Sequence, residues 1–97
     1  MPQFVESDKK KGLAHIASKM LNVYKGLGLE SQSALKGARL FINQLSHDDC
    51  LSINGEGIVV KSEHYNQQIE TLLEFEVIEL EGEFEEGGST YLSYVFV

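Results

Sequence analysis

The residues best placed to do chemistry are five glutamates near the C-terminus. Glu79, Glu81, Glu83 and Glu85 alternate with Leu80, Gly82 and Phe84, and Glu86 follows directly. On a strand, alternate residues share a face about 6.6 Å apart, twice the ~3.3 Å rise, so the alternation predicts one line of carboxylates. Three uses fit such a line. The commonest is to keep an exposed strand from pairing with other strands. A second is a docking strip for a basic partner, including imitation of a nucleic-acid backbone. Metal chelation is the third and weakest.

A second cluster, His47-Asp48-Asp49-Cys50, holds metal-capable and nucleophilic groups within four residues. Structural zinc takes four ligands, usually from paired motifs such as CxxC, and nothing elsewhere completes a set here. A thiol nucleophile needs a general base, and none is evident beside Cys50. The expected role of this segment is to end a helix. His15 and His64 stand alone, and the chain carries no GxSxG, no phosphate-cradling glycine loop and no paired-carboxylate motif. The expectation is therefore no enzyme and no cofactor.

Charge is divided along the chain. Residues 1–48 hold seven bases (Lys9, Lys10, Lys11, Lys19, Lys25, Lys36, Arg39) against four acids, a net of +3. Residues 49–97 hold one base, Lys61, against eleven acids, a net of −10, and the two halves give the overall −7. Such asymmetry speaks to partners rather than to fold. The acids point to a basic protein surface. The seven bases are the alternative, a nucleic-acid-binding face on the first two helices, or else an ordinary solvated face.

Four kinds of element must position these groups. After Ser7-Asp8, which can cap a helix, Leu13, Ile16, Ala17, Met20, Tyr24 and Leu27 recur at steps of three and four. This predicts helix one over 8–26, stopped by Gly26 and Gly28. Leu35, Ala38, Phe41, Ile42 and Leu45 predict helix two over 32–46, and the short link makes the pair a hairpin packed through Leu13, Ile16, Met20, Tyr24, Leu35, Ala38, Phe41 and Leu45. Leu51-Ser52-Ile53 and Ile58-Val59-Val60 flank the turn signal Asn54-Gly55-Glu56-Gly57 and predict a short β-hairpin. With Ser62 as cap, Tyr65, Ile69, Leu72 and Leu73 predict helix three over 63–74. From Glu74 the period is two, Glu86-Gly87-Gly88-Ser89 turns the chain, and Thr90–Val97 is apolar enough to be a covered strand. The fold class expected is α+β, in the order helical hairpin, β-hairpin, third helix, C-terminal β-hairpin.

With 97 residues and 42% hydrophobic positions there is material for one domain over 1–97 and no second core. A lone cysteine excludes a disulfide-stapled scaffold. No apolar run reaches the ~18 residues of a membrane span, and Met1-Pro2-Gln3-Phe4-Val5-Glu6 lacks a leader's basic and apolar regions, so the expected location is cytoplasmic. The apolar last strand leads us to expect a homodimer formed by strand pairing across a two-fold axis.

The stretch Ile69-Glu70-Thr71-Leu72-Leu73-Glu74-Phe75-Glu76-Val77-Ile78-Glu79-Leu80, followed by the Gly-Gly turn and Thr90–Val95, resembles the final helix and wing of a winged-helix domain over about 35 residues. The position usually held by glycine is Glu76 here, and a hairpin precedes helix three where that family has a helix. The resemblance implies that helix three is a recognition helix, with Ser62, His64, Asn66 and Gln67 as base readers. An acidic wing opposes that pose, because phosphate contacts draw their affinity from cationic side chains. The reading that follows is a small non-enzymatic regulator, of the type of phage or mobile-element inhibitors, that uses its acidic hairpin on a basic protein.

Overall fold

A computed structural model describes residues 4–97, with side chains from Asp8 onward. The leader reading rests partly on Met1–Gln3, which lie outside the described residues. Two helices come first, α1 over Phe4–Gly26 and α2 over Ser31–Ser46. The first begins four residues before the predicted start, so Ser7 and Asp8 lie within the helix and do not cap it. Gly28, at φ 96°, turns the chain back, and the Leu29 N–H donates to the Tyr24 carbonyl across the turn. The hairpin is aligned at its other end by Lys9, whose Nζ donates to the Ser46 carbonyl at 3.1 Å. That contact supplies the C-terminus of α2 with the cation its own last turn lacks.

The packed face of α2 is the predicted one at Ala38, Phe41 and Leu45, with Ile42 half-buried against the core, but Ala34 takes the place of Leu35. Ala34, Ala38, Phe41 and Leu45 are buried, at steps of four, three and four, while Leu35 is 41% exposed. Leu27 also leaves the expected stripe, at 63% exposure. The N-terminal half of α2 runs close to α1. A Cβ on Gly37 would lie 3.0 Å from Tyr24 Cε2, tight enough to press on the ring. Ile16 and Met20 of α1 are fully buried beneath this pair.

The four strands are β1 Leu51–Ile53, β2 Gly57–Lys61, β3 Ile78–Glu86 and β4 Ser89–Phe96, in the antiparallel order β1-β2-β4-β3. Asn54 makes the first hairpin: its Oδ1 accepts from the N–H groups of Glu56 and Gly57 at 2.7 and 2.9 Å. Gly12 of α1 lets the helix lie directly on this hairpin, where a Cβ would strike the Asn54 carbonyl and come within 2.6 Å of Ile53 Cγ2. The last strand lies inside the sheet, paired to β2 and β3 along its two edges, and is covered on its helix-side face alone, where Tyr94 is buried. It has no free edge for a second copy, so the predicted route to a homodimer through Tyr91–Val97 is closed.

Between the hairpins, Ser62–His64 forms one turn of 3₁₀ helix, and the helix proper, α3, spans Gln67–Glu74. Its cap is Asn66, not Ser62. The Asn66 Oδ1 accepts from the Ile69 N–H at 3.2 Å, and its Nδ2 donates to Asp48 Oδ2 at 2.9 Å. One amide thus starts α3 and ties it to the chain after α2. Asn66→Ala is expected to cost about 1 to 2 kcal/mol, read as a lowered melting temperature, because it removes the cap and strands the Asp48 bond together. Ile69 and Leu72 of α3 are fully buried against Val77, Ile78 and the rest of the core.

Glu76 ends α3 in the left-handed region, at φ 60°, the single non-glycine residue there among those described. The Val77 N–H donates to the Leu72 carbonyl and the Glu76 N–H to that of Leu73, a helix terminus normally closed by glycine. Glu76→Gly is therefore expected to raise the melting temperature, by up to about 1 kcal/mol of stability, since it removes a Cβ clash. A lowered melting temperature would mean that the Glu76 side chain makes a stabilising contact.

Candidate interaction surface

The acidic strand β3 is one edge of the sheet, with β1 the other, and the pairing of the strands decides which way its side chains point. Cross-strand partners share a face. Ile53, Ile58, Val60, Tyr94 and Ile78 lie in the core with the helices, which fixes the helix-side face. Through Ile78↔Phe96 and Leu80↔Tyr94 the start of β3 follows the predicted alternation, with Glu79 opposite Val95 on the open face.

The alternation then breaks. The pairing passes from Leu80↔Tyr94 to Gly82↔Ser93, leaving Glu81 as the extra residue of a β-bulge. Glu81 stays on the open face, where its Oε1 accepts from Ser93 Oγ at 3.2 Å. Beyond the bulge the faces are exchanged. Glu83 pairs with Leu92 and Glu85 with Thr90, on the helix-side face, whereas Phe84 pairs with Tyr91 and Glu86 with Ser89 on the open one. The single line of carboxylates predicted from the alternation is thus corrected to two groups. Glu79, Glu81 and Glu86 lie on one face of the edge, and Glu83 and Glu85 on the other.

The aromatic pairing agrees with this exchange. The rings of Phe84 and Tyr91 stack with centroids 5.2 Å apart and planes 9° from parallel, which requires a shared face. Burial pushes the Tyr94 phenol above its ordinary pKa, and Tyr65 and the Glu83 carboxylate add to the shift, in keeping with the Glu83↔Leu92 pairing on the helix-side face.

All five glutamates are exposed, and so are Leu80 and Phe84, at 50% and 41%. The ion pair found among the described residues is His64 with Glu63, at 3.6 Å, and it involves none of the five. No lysine or arginine follows Lys61 in the chain, so the edge is not neutralised from within its own sequence neighbourhood. On the open face, Lys61, Phe84, Glu86 and Tyr91 line a shallow depression of about 470 Å³ that also takes in Asp49 and the exposed thiol of Cys50.

The seven bases take several directions. Helical spacing of ~100° per residue turns Lys9, Lys10 and Lys11 away from one another. Lys9 is spent on Ser46, and Lys11 lies beside the β1–β2 turn with Asp8, Gly55 and Glu56. Lys19 is half-buried. Lys10, Lys25, Lys36 and Arg39 are exposed, the last at the outer seam between α1 and α2.

Of the four side chains offered as base readers, Asn66 is committed to its cap and to Asp48. In the cluster after α2, His47 closes the helix, its Nδ1 lying 2.7 Å from the Asn43 carbonyl, and Asp48 Oδ1 accepts from the Cys50 N–H at 3.0 Å. Among the described residues no three His, Cys, Asp or Glu side chains gather as a metal site, and no helix is long and apolar enough to cross a membrane. No family model, curated protein or solved structure matches the chain.

Proposed function

We propose that this protein is a small, non-enzymatic regulatory binding protein whose acidic β3 edge engages a basic surface on another protein, in the manner of an inhibitor. The observation that carries the reading is the position of β3: the most acidic strand is one of the sheet's two edges, with glutamates on both of its faces. Unpaired backbone groups along such an edge accept an added strand. Glutamates opposite one another destabilise pairing with a second acidic copy, and they favour a strand or loop that brings lysine and arginine. Guarding the edge and selecting a basic partner are in this way one electrostatic preference. Leu80 and Phe84 add apolar contact between the charges.

The test is a titration, followed by fluorescence anisotropy, of a labelled extended peptide with alternating lysine or arginine against its glutamate counterpart. The basic peptide is expected to bind and to weaken as salt is raised, because exposed charges are screened beyond about 10 Å at moderate ionic strength. Equal behaviour of the two peptides at low salt would contradict the reading. Double-stranded DNA belongs in the same titration. Binding of DNA in preference to the basic peptide would favour a nucleic-acid-binding, winged-helix-like regulator that works through the lysines of α1 and α2.

A further inference from the structure

The face of the helical hairpin turned away from the sheet carries an apolar groove that the β3 reading does not use. Ala17 and Leu21 of α1 and Leu35, Ala38 and Ile42 of α2 form its floor, enclosing about 440 Å³. Leu35, the residue expected in the core, is the floor's most exposed side chain, at 41%. Arg39 stands on the α2 wall. Lys36, three residues earlier, shares Arg39's side of the helix. On α1, Lys10 and Lys25 fall at the spacing of Ala14, Ala17 and Leu21, four residues before Ala14 and four after Leu21, so they bracket the groove's length. The stretches that carry these four cations, from Lys9 to Leu29 and from Ser31 to His47, contain no aspartate or glutamate.

We propose that this groove is a second docking site, and that its occupant is an acidic amphipathic helix of a partner protein. A third helix laid between two antiparallel ones packs at about 8 to 10 Å from each and presents apolar residues at i, i+3, i+4 and i+7 to the floor. Acidic residues flanking that stripe then face Lys10, Lys25, Lys36 and Arg39. The apolar floor decides between classes of partner, since phosphates gain nothing from Leu21, Leu35 and Ile42. A second copy of this chain does not supply the occupant: the acidic helix it has, α3, already buries its apolar side through Ile69 and Leu72. The molecule would then present oppositely charged docking surfaces for two different partners, and either can fail without the other.

The probe is a labelled helical peptide of roughly 18 residues, five turns, with leucines at the stated spacing and glutamates elsewhere, compared with the same leucines among lysines. The acidic peptide is expected to bind saturably to the intact protein and to shift the NMR signals of Ala17, Leu21, Leu35 and Ile42. Lys36→Glu/Arg39→Glu, two exposed positions that leave the fold intact, should weaken it about tenfold or more. Leu35→Glu should do the same, whereas Glu79→Lys/Glu81→Lys should leave it unchanged. Absence of saturable binding, equal binding by Leu35→Glu, or equal binding of the lysine peptide would overturn the proposal. So would displacement of the peptide by double-stranded DNA, or a concentration-dependent dimer that Leu35→Glu dissolves.

Discussion

Gly57→Ala is expected to lower the melting temperature by about 12 to 24 °C, the equivalent of about 3 kcal/mol or more in a domain of this size. Gly57 opens β2 opposite Val95, and an added Cβ would fall on the Tyr94 carbonyl, 2.8 Å from its carbon and 2.9 Å from Val95 Cα. All three atoms are backbone, and they belong to the strand that is held on both edges. No side-chain rotation relieves the clash, so the β2–β4 ladder must open. Gly82→Ala provides the contrast, since nothing lies within 4 Å of its Cβ position, and its effect should stay within about 0.5 kcal/mol. Thermal unfolding followed by circular dichroism separates the two. A Gly57→Ala protein as stable as the parent would show that β2 and β4 pair in another register.

Phe41→Ala should rank beside it, at about 3 to 5 kcal/mol. Phe41 is 9% exposed and packs in the core with Ile16, Met20, Ala38 and Leu45, so truncation leaves a cavity that the two helices and the sheet close only in part. Leu35→Ala, by contrast, should change stability by less than about 1 kcal/mol, because that side chain is already half in water. Denaturant titration of the pair tests which face of α2 is buried. Equal losses would restore Leu35 to the buried face, as expected from the leucine pattern.

How much of this was legible in the residues depends on the range of the interaction. The two helices, the Asn54–Gly57 turn and the Gly87-Gly88 turn are written locally, in steps of three and four and in turn residues, and the structure has them in the expected order. Helix three needed a choice between two caps, Ser62 and Asn66, and the winner was set by Asp48, eighteen residues earlier. Leu35 and Ala34 compete for one side of α2, and the smaller residue takes it. Strand order is a long-range matter, so nothing in Thr90–Val97 could place it between β2 and β3. The bulge did leave a sign: Gly82 stands within an alternating strand, where a glycine often marks an extra residue. Read so, it would have divided the carboxylates as the structure does.

Docking at the acidic β3 edge differs from mere guarding in what charge reversal does to a partner. Its most direct test is the association rate of the basic peptide, measured by stopped flow, with the parent, with Glu79→Lys/Glu81→Lys and with Glu83→Lys/Glu85→Lys. One pair alters the open face and the other the helix-side face. Each reversal should weaken binding about tenfold, mostly through slower association, and the difference should shrink as salt is added. Stability should move by less than about 0.5 kcal/mol, since these side chains are exposed. Lysine guards an edge as well as glutamate does. Unchanged association and affinity in both variants, with unchanged melting curves, would therefore contradict docking and leave the glutamates as edge protection alone.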